Sequence, residues 1–186
     1  MAVFDLEVDA HRLDFRLALT SAVTLFWRPA LVDEATGWLR QHGYTIAAFD
    51  ASTWASDGDL HRDIAAALDF PDYYGKNLDA LNDCLRDVVD YEYGTTRQAT
   101  GLALTFSAYD IFASRHPRTA QIVLNIVADQ ARRAMLTGHR ILCLVQCENP
   151  DITFEPVGAT PVAWNHAEWL DSQRRPGSVA HQLVSD

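Results

Sequence analysis

Three aspartates with a spacing of four residues, Asp79, Asp83 and Asp87, offer the clearest chemistry in this sequence. They belong to the segment NLDALNDCLRDVVD, whose apolar residues recur every three or four positions at Leu78, Leu81, Leu85 and Val88. This periodicity predicts a helix with one buried face, and it places the three carboxylates on one exposed ridge. Like charges at this spacing repel each other slightly, so helix stability alone does not favour the ridge. An ordinary solvated helix face is one interpretation, and a surface for a basic partner is the other.

The loop before this helix carries two adjacent aromatic residues, Tyr73 and Tyr74, beside Gly75. We expect one tyrosine to pack inward and the other to stay exposed. An exposed tyrosine next to carboxylates is a typical anchor of a protein interface. In a basic cleft, the carboxylates would occupy the positions of RNA phosphates, and the tyrosine would stack where a base does. The loop therefore favours the second interpretation.

The charge of the chain is concentrated around the same helix. The sequence has 15 basic and 25 acidic residues, a formal net charge of -10. Between Asp57 and Glu92 there are ten acidic and three basic residues, so this stretch alone contributes -7. A surface of this kind is unsuited to nucleic acid, which requires a basic footprint. It suits a basic protein partner.

Other chemistry has weaker support in the sequence. Glycosidase carboxylates face each other across a cleft, whereas Asp79 and Asp83 would lie one turn apart on one convex helix, so we predict no catalytic residues. Cys143 and Cys147 are interpreted as buried thiols rather than metal ligands. The seven histidines have no HxH or HExxH spacing, so we expect mostly surface histidines, no metal site and no cofactor.

The order of elements predicts an α/β fold in a single domain over residues 1–175. Apolar runs predict strands over 22–27, 44–49, 101–109 and 140–147, and helical periodicity predicts helices over 31–42, 56–68, 77–90 and 117–136. Strand, helix and strand within a short stretch form a βαβ unit, which implies parallel strands. Alternating apolar residues predict two short N-terminal strands, at Val3, Leu6, Val8, Leu13, Phe15, Leu17 and Leu19. A short β pair over 152–164, a brief helix over 167–171 and a frayed tail over 176–186 complete the prediction.

The sequence also predicts where the protein resides. An odd number of cysteines fits a reducing compartment, and the start MAVFDLEVD lacks the basic residues of a signal peptide. No apolar run approaches the roughly 20 residues that span a bilayer. We therefore expect a cytoplasmic protein, with a monomer favoured, that binds neither membrane nor nucleic acid.

The stretch LHRDIAAALDF, PDYYG and KNLDALNDCL resembles the barstar family of intracellular ribonuclease inhibitors. The positions in the order of the family are Pro71, Tyr73, Tyr74, Gly75, Asn77, Leu78, Asp79, Ala80, Leu81, Asp83, Cys84 and Leu85. Further along, only the order of elements matches, so the resemblance covers about residues 44–147 and leaves 1–43 as an extension. It implies a barstar-like fold, a small parallel sheet flanked by helices, with an N-terminal β/βαβ extension and a short C-terminal β pair.

In that family the loop and the acidic helix plug the active site of a nuclease. The resemblance and the ridge together predict partner contacts at Tyr73, Gly75, Asn77, Asp79, Asn82, Asp83 and Asp87, with Asp83 in the position that contributes most in the family. The implied partner is a basic, barnase-like ribonuclease or another basic toxin protein. The chain departs from the family at Asn82, Lys76 and Arg133, where the family has a tryptophan, an acid and a glutamate. These departures leave open a barstar-like module whose partner is not a ribonuclease.

Overall fold

The computed structural model describes residues 4–175 and 177. Its helices are α1 (Leu6–Asp9), α2 (Leu13–Thr20), α3 (Pro29–Gln41), α4 (Asp57–Ala67), α5 (Leu78–Val89), α6 (Tyr109–Arg115) and α7 (Pro117–Leu136). Its strands are β1 (Val23–Phe26), β2 (Tyr44–Asp50), β3 (Gly101–Ser107), β4 (Ile141–Gln146) and β5 (Ala163–Trp164). Short 3-10 turns follow β2 and β5, at Ala51–Thr53 and Asp171–Arg174.

The five strands form one parallel sheet in the order β2-β3-β4-β1-β5. Every residue of β1 and β4 is buried, which explains the continuous apolar runs VTLF and ILCLVQ in the sequence. Successive residues of β4 face opposite sides of the sheet. Leu142 and Leu144 pack with α2 and α3, whereas Cys143 and Val145 pack with the core under α5 and α7. The predicted parallel sheet with flanking helices is confirmed.

The helices that surround the acidic segment were well predicted, since their signals are local. Ser56 caps α4 as expected, and the Asp59 carboxylate accepts from its backbone N–H at 3.0 Å and from its hydroxyl at 2.9 Å. The predicted bounds of α7, from Pro117 to Leu136, are those of the structure. Helix α6 was not predicted.

The predicted N-terminal strands are wrong, because residues 6–20 form α1 and α2. Leu13 and Leu17 are four residues apart and both face the sheet, so the alternation in LDFRLALT also fits a helix. The decisive contact is distant in sequence. The carboxylate of Asp14, 0% exposed, accepts from the Tyr44 hydroxyl at 2.7 Å and from Arg140 Nη1 at 3.0 Å. Val3 lies outside the described residues.

The predicted C-terminal β pair is also wrong in its pairing. Strand β5 lies beside β1 in the main sheet and runs parallel to it. Residues 152–162 contribute an isolated antiparallel bridge between Val157 and Thr160. Glu168 anchors this region, because its buried carboxylate accepts from the backbone N–H groups of Trp27 at 2.8 Å and Arg28 at 2.9 Å. The brief helix predicted over 167–171 is a 3-10 turn that begins at residue 171.

Two further predictions concern the C-terminal tail and membrane-spanning segments. The tail predicted over 176–186 lies, apart from Gly177, outside the described residues. Across the described part of the chain, the helices are all too short or too polar to traverse a lipid bilayer.

Candidate partner-binding surface

The loop between α4 and α5 is fixed by one of its two tyrosines. Tyr74 is 7% exposed, its hydroxyl lies 2.5 Å from Nδ1 of His61, and its ring packs edge-on against Phe70 with centroids 4.9 Å apart. Tyr73, the preceding residue, is 79% exposed. The expectation that one tyrosine packs inward and the other projects is therefore confirmed.

The backbone of the loop is held on both sides of Gly75. The Tyr74 N–H donates to the Pro71 carbonyl at 2.9 Å, and Asn77 Nδ2 donates to the Gly75 carbonyl at 3.3 Å. A Cβ at residue 75 would lie 3.1 Å from Asn77 Nδ2, closer than most real Cβ contacts, so a larger residue here would require the Asn77 side chain to shift. Gly75 thus shapes the loop and is itself exposed.

Asn77 begins the acidic helix. Its Oδ1 accepts from the Ala80 N–H at 2.9 Å, so it satisfies one of the orphan donors of the first turn. Leu81, Leu85 and Val88 are buried against the core that α5 shares with α7, and Leu78 is half-buried beside them. The predicted apolar face is confirmed, and it turns the opposite face of α5 to solvent.

Two of the three predicted carboxylates line that solvent face. Asp79 and Asp83 are exposed, and Asp83 Oδ1 lies 3.2 Å from Arg86 Nη1. Asp87 is half-buried, because its carboxylate accepts from the Tyr93 hydroxyl at 3.2 Å. The prediction that three carboxylates line one exposed ridge is wrong at Asp87, since Tyr93 lies in the loop after α5 and its position has no local signal.

The remaining predicted contact, Asn82, is tied to the neighbouring helix. Its Oδ1 accepts from Nε2 of the buried Gln130 on α7 at 2.8 Å. Arg133, on the same helix, forms an ion pair with Asp90 at 2.9 Å. Asn82 therefore lies at the seam between α5 and α7, and the charge of Arg133 is compensated within the chain.

Asp79 and Asp83 are arranged like residues of a binding surface and not like a pair of catalytic carboxylates. Both lie on one exposed helix face, whereas paired catalytic carboxylates flank a bound substrate. A cavity of about 810 Å³ lies elsewhere, between α6, the start of α7 and residues 149–155. Among the described residues, no cluster of three or more His, Cys, Asp or Glu side chains is arranged to hold a metal ion.

The prediction for the two cysteines is confirmed, and the prediction for the histidines is wrong at two positions. Cys143 and Cys147 are buried, and burial raises the pKa of both thiols. The expectation of surface histidines is wrong at His61 and His139, which are 3% and 1% exposed. Burial lowers the pKa of both imidazoles. His61 supports the site, but its partner Tyr74 is thirteen residues away, so no sequence motif marks the pair.

Two comparisons with known proteins bear on this surface. A family model described as Barstar (barnase inhibitor) matches residues 30–146, more than half of the chain. The match includes the acidic helix and extends to residues of α3, which lie before Tyr44, where the resemblance in the sequence begins. A curated protein of Bacillus subtilis (strain 168), named "Putative ribonuclease inhibitor YrdF", is 68% identical over 31 residues, which are 17% of this chain and 34% of that protein. The similarity thus spans about a third of the relative's length.

Proposed function

This chain belongs to the barstar family, and we propose that it inhibits a basic ribonuclease by occluding its active-site cleft with the loop at Tyr73 and the face of α5. One observation carries the proposal. Tyr73, 79% exposed, projects from a loop that is fixed by the buried Tyr74, directly before a helix that presents Asp79 and Asp83 to solvent. An aromatic anchor beside two carboxylates is complementary to a cleft that binds bases and phosphates. The name of the Bacillus subtilis relative supports the same function.

The electrostatics of the chain agree with a basic partner. The net charge of -10 is concentrated around α4 and α5, so the field of the protein attracts a cationic cleft over a distance of about one Debye length. Such steering raises the association rate and weakens as salt is added. Affinity itself would come from a few desolvated contacts, with Asp83 the strongest candidate.

The proposal predicts that Asp83→Asn weakens inhibition strongly. The test measures inhibition of a panel of basic ribonucleases, barnase included, by the wild type and by two variants. Asp129→Asn is the matched control, because Asp129 on α7 also pairs with an arginine three residues later and has similar exposure, 56% against 59% for Asp83. That arginine, Arg132, borders Gly158 rather than α5.

Loss of a central interface contact costs about 2 kcal/mol or more, which is about 30-fold in Kd. We therefore expect Asp83→Asn to raise Kd at least about 30-fold and Asp129→Asn to leave it within about threefold. The association rate of the wild type should fall as salt rises. Equal, small effects of the two substitutions would contradict the proposed surface, and a wild type that inhibits no ribonuclease of the panel would contradict the function.

The contact between α5 and α7 favours a second candidate function. In this alternative, the chain is a barstar-like module that binds another basic toxin protein instead of a ribonuclease. Asn82 is bonded to Gln130 and offers a partner little apolar area. Affinity capture with the wild type and with an Asp79/Asp83 double alanine variant separates the candidates. A protein that is retained by the wild type alone and lacks ribonuclease activity would support the second candidate.

A further inference from the structure

Lys76 is the only lysine in the sequence, and it is exposed in the loop of the proposed surface, directly before the Asn77 that caps α5. The other fourteen residues of the fifteen that are basic are arginines. Lys76 is exposed and has a φ of 50°, in the left-handed region that long side chains rarely adopt. This conformation is strained for a residue with a Cβ. The loop thus keeps a lysine where a glycine or an asparagine would fit with less strain.

The ammonium of Lys76 differs from the other cations near α5. Arg62, Arg86 and Arg133 each form an ion pair with an aspartate. Within the described part of the chain, no carboxylate pairs with Lys76, although the chain is strongly acidic around it. Its charge therefore remains available to a partner.

The backbone at Lys76 is held on both sides. The buried Tyr74 fixes the chain before it, and Asn77 caps α5 directly after it. Along the chain, Lys76 is three residues from Tyr73 and three from Asp79, in a loop whose backbone is held before and after it. We therefore expect a partner that contacts Tyr73 and Asp79 to meet the exposed lysine as well.

A uniformly basic cleft would not accept this ammonium. Burying a charge without a counter-ion is costly, and like charges across an interface add repulsion. A ribonuclease cleft needs cations for the phosphate, but it also needs a proton acceptor for the attacking hydroxyl, and a carboxylate is one group that serves. On the basis of the proposed function, we propose that Lys76 pairs with a carboxylate in the partner's cleft and selects ribonucleases whose general base is an aspartate or a glutamate.

A double-mutant cycle tests this pairing. The probe is a barnase-type ribonuclease with a carboxylate general base, used as the wild type and with that carboxylate replaced by the amide. Titration calorimetry gives the Kd of each enzyme form with the wild-type inhibitor and with Lys76→Met, which keeps the length of the side chain. Arg118→Met is the control, because Arg118 is also exposed and has no ion pair within the described residues.

We expect Lys76→Met to weaken binding of the wild-type enzyme about tenfold and binding of the amide form less than threefold, with Arg118→Met neutral towards both. Reductive methylation provides a second readout, because it labels a single lysine and retains its charge. The NMR signal of the dimethylated Lys76 should shift on titration with the wild-type enzyme.

Failure of the inference and failure of the proposed function are distinguishable. If Asp83→Asn loses binding while Lys76→Met binds both enzyme forms as the wild type does, the pairing is refuted and the inhibitor function stands. A methyl signal that does not respond to the bound enzyme leads to the same conclusion. If the wild-type inhibitor does not bind the enzyme at all, both are refuted for this class of ribonuclease.

Discussion

Replacing Tyr74 with phenylalanine tests whether one buried hydrogen bond holds the candidate binding loop. The Tyr74 hydroxyl lies 2.5 Å from Nδ1 of His61, and both side chains are buried. Burial raises the pKa of Tyr74 and lowers the pKa of His61, so both groups stay neutral and share one hydrogen bond, whose donor is set by the tautomer of the imidazole. Phenylalanine keeps the ring and its packing against Phe70. The substitution therefore removes the hydrogen bond and little else.

The magnitude follows from the burial of both groups. A typical intramolecular hydrogen bond contributes about 0.5–1.5 kcal/mol net, and a buried polar group that is left without its partner costs about 1–3 kcal/mol. We expect Tyr74→Phe to lower the free energy of unfolding by about 1–2 kcal/mol. For a domain of this length, that loss corresponds to a fall in Tm of about 2–8 °C. Tyr73→Phe removes the same hydroxyl from an exposed ring and should change stability by less than about 0.5 kcal/mol.

Urea denaturation, followed by circular dichroism and by tryptophan fluorescence, to which the buried Trp54 contributes, measures these differences at equilibrium. Both variants should unfold with the slope of the wild type, so that midpoints can be compared directly. A Tyr74→Phe protein as stable as the wild type would refute the role of the hydrogen bond. A Tyr73→Phe protein that loses as much stability would refute the assignment of the inner and outer tyrosines.

Two further predictions concern buried ionisable groups. Burial lowers the pKa of His61 below its ordinary 6.5, with a smaller opposing effect of Asp57. Because folding favours the neutral imidazole, its contribution to stability is complete above pH 6.5 and is lost as the pH falls towards the lower pKa of the folded state. Urea midpoints between pH 7.5 and 5 should therefore fall less steeply for His61→Asn than for the wild type, and equal slopes would contradict this. Asp14→Ala should lower the free energy of unfolding by ~3 kcal/mol, because the Tyr44 hydroxyl and the Arg140 guanidinium lose a buried carboxylate. A loss below about 1 kcal/mol would show that α2 is held by its apolar contacts alone.

The elements that could be predicted from the sequence are those whose signals are local. Helix α5 has apolar residues at helical spacing and an asparagine cap, and α7 begins at a proline and ends before Gly138. Residues 13–20 carry an equally local pattern, but it fits both a strand and a helix. In the structure they form a helix whose Asp14 bonds to Arg140, a residue 126 positions later, and no pattern within one segment contains that contact.

In the candidate site, too, the features with local signals could be predicted and those that depend on distant residues could not. The spacing of Asp79 and Asp83 and the cap at Asn77 were sufficient to place these residues on α5. The residue pattern alone could not decide which tyrosine is buried, because the choice depends on His61 in another helix; only the family resemblance assigned the partner contact to Tyr73. The sequence also could not reveal the contact of Asp87. The hydroxyl of Tyr93, which lies in the loop after α5, donates to the Asp87 carboxylate, so this carboxylate is less exposed than those of Asp79 and Asp83.

The exposed groups of this surface depend on buried ones for their geometry. Asp83 pairs with Arg86, but an exposed pair of this kind contributes only about 0–1 kcal/mol, so a cation of the partner can replace Arg86 at little cost. The backbone next to Tyr73 is held, because the neighbouring Tyr74 is buried and hydrogen-bonded to His61. A loop that is ordered before the encounter loses less conformational entropy on association. The hydrogen bond between His61 and Tyr74 would then contribute to affinity without touching the partner, so the Tyr74→Phe variant should lose some binding as well as stability.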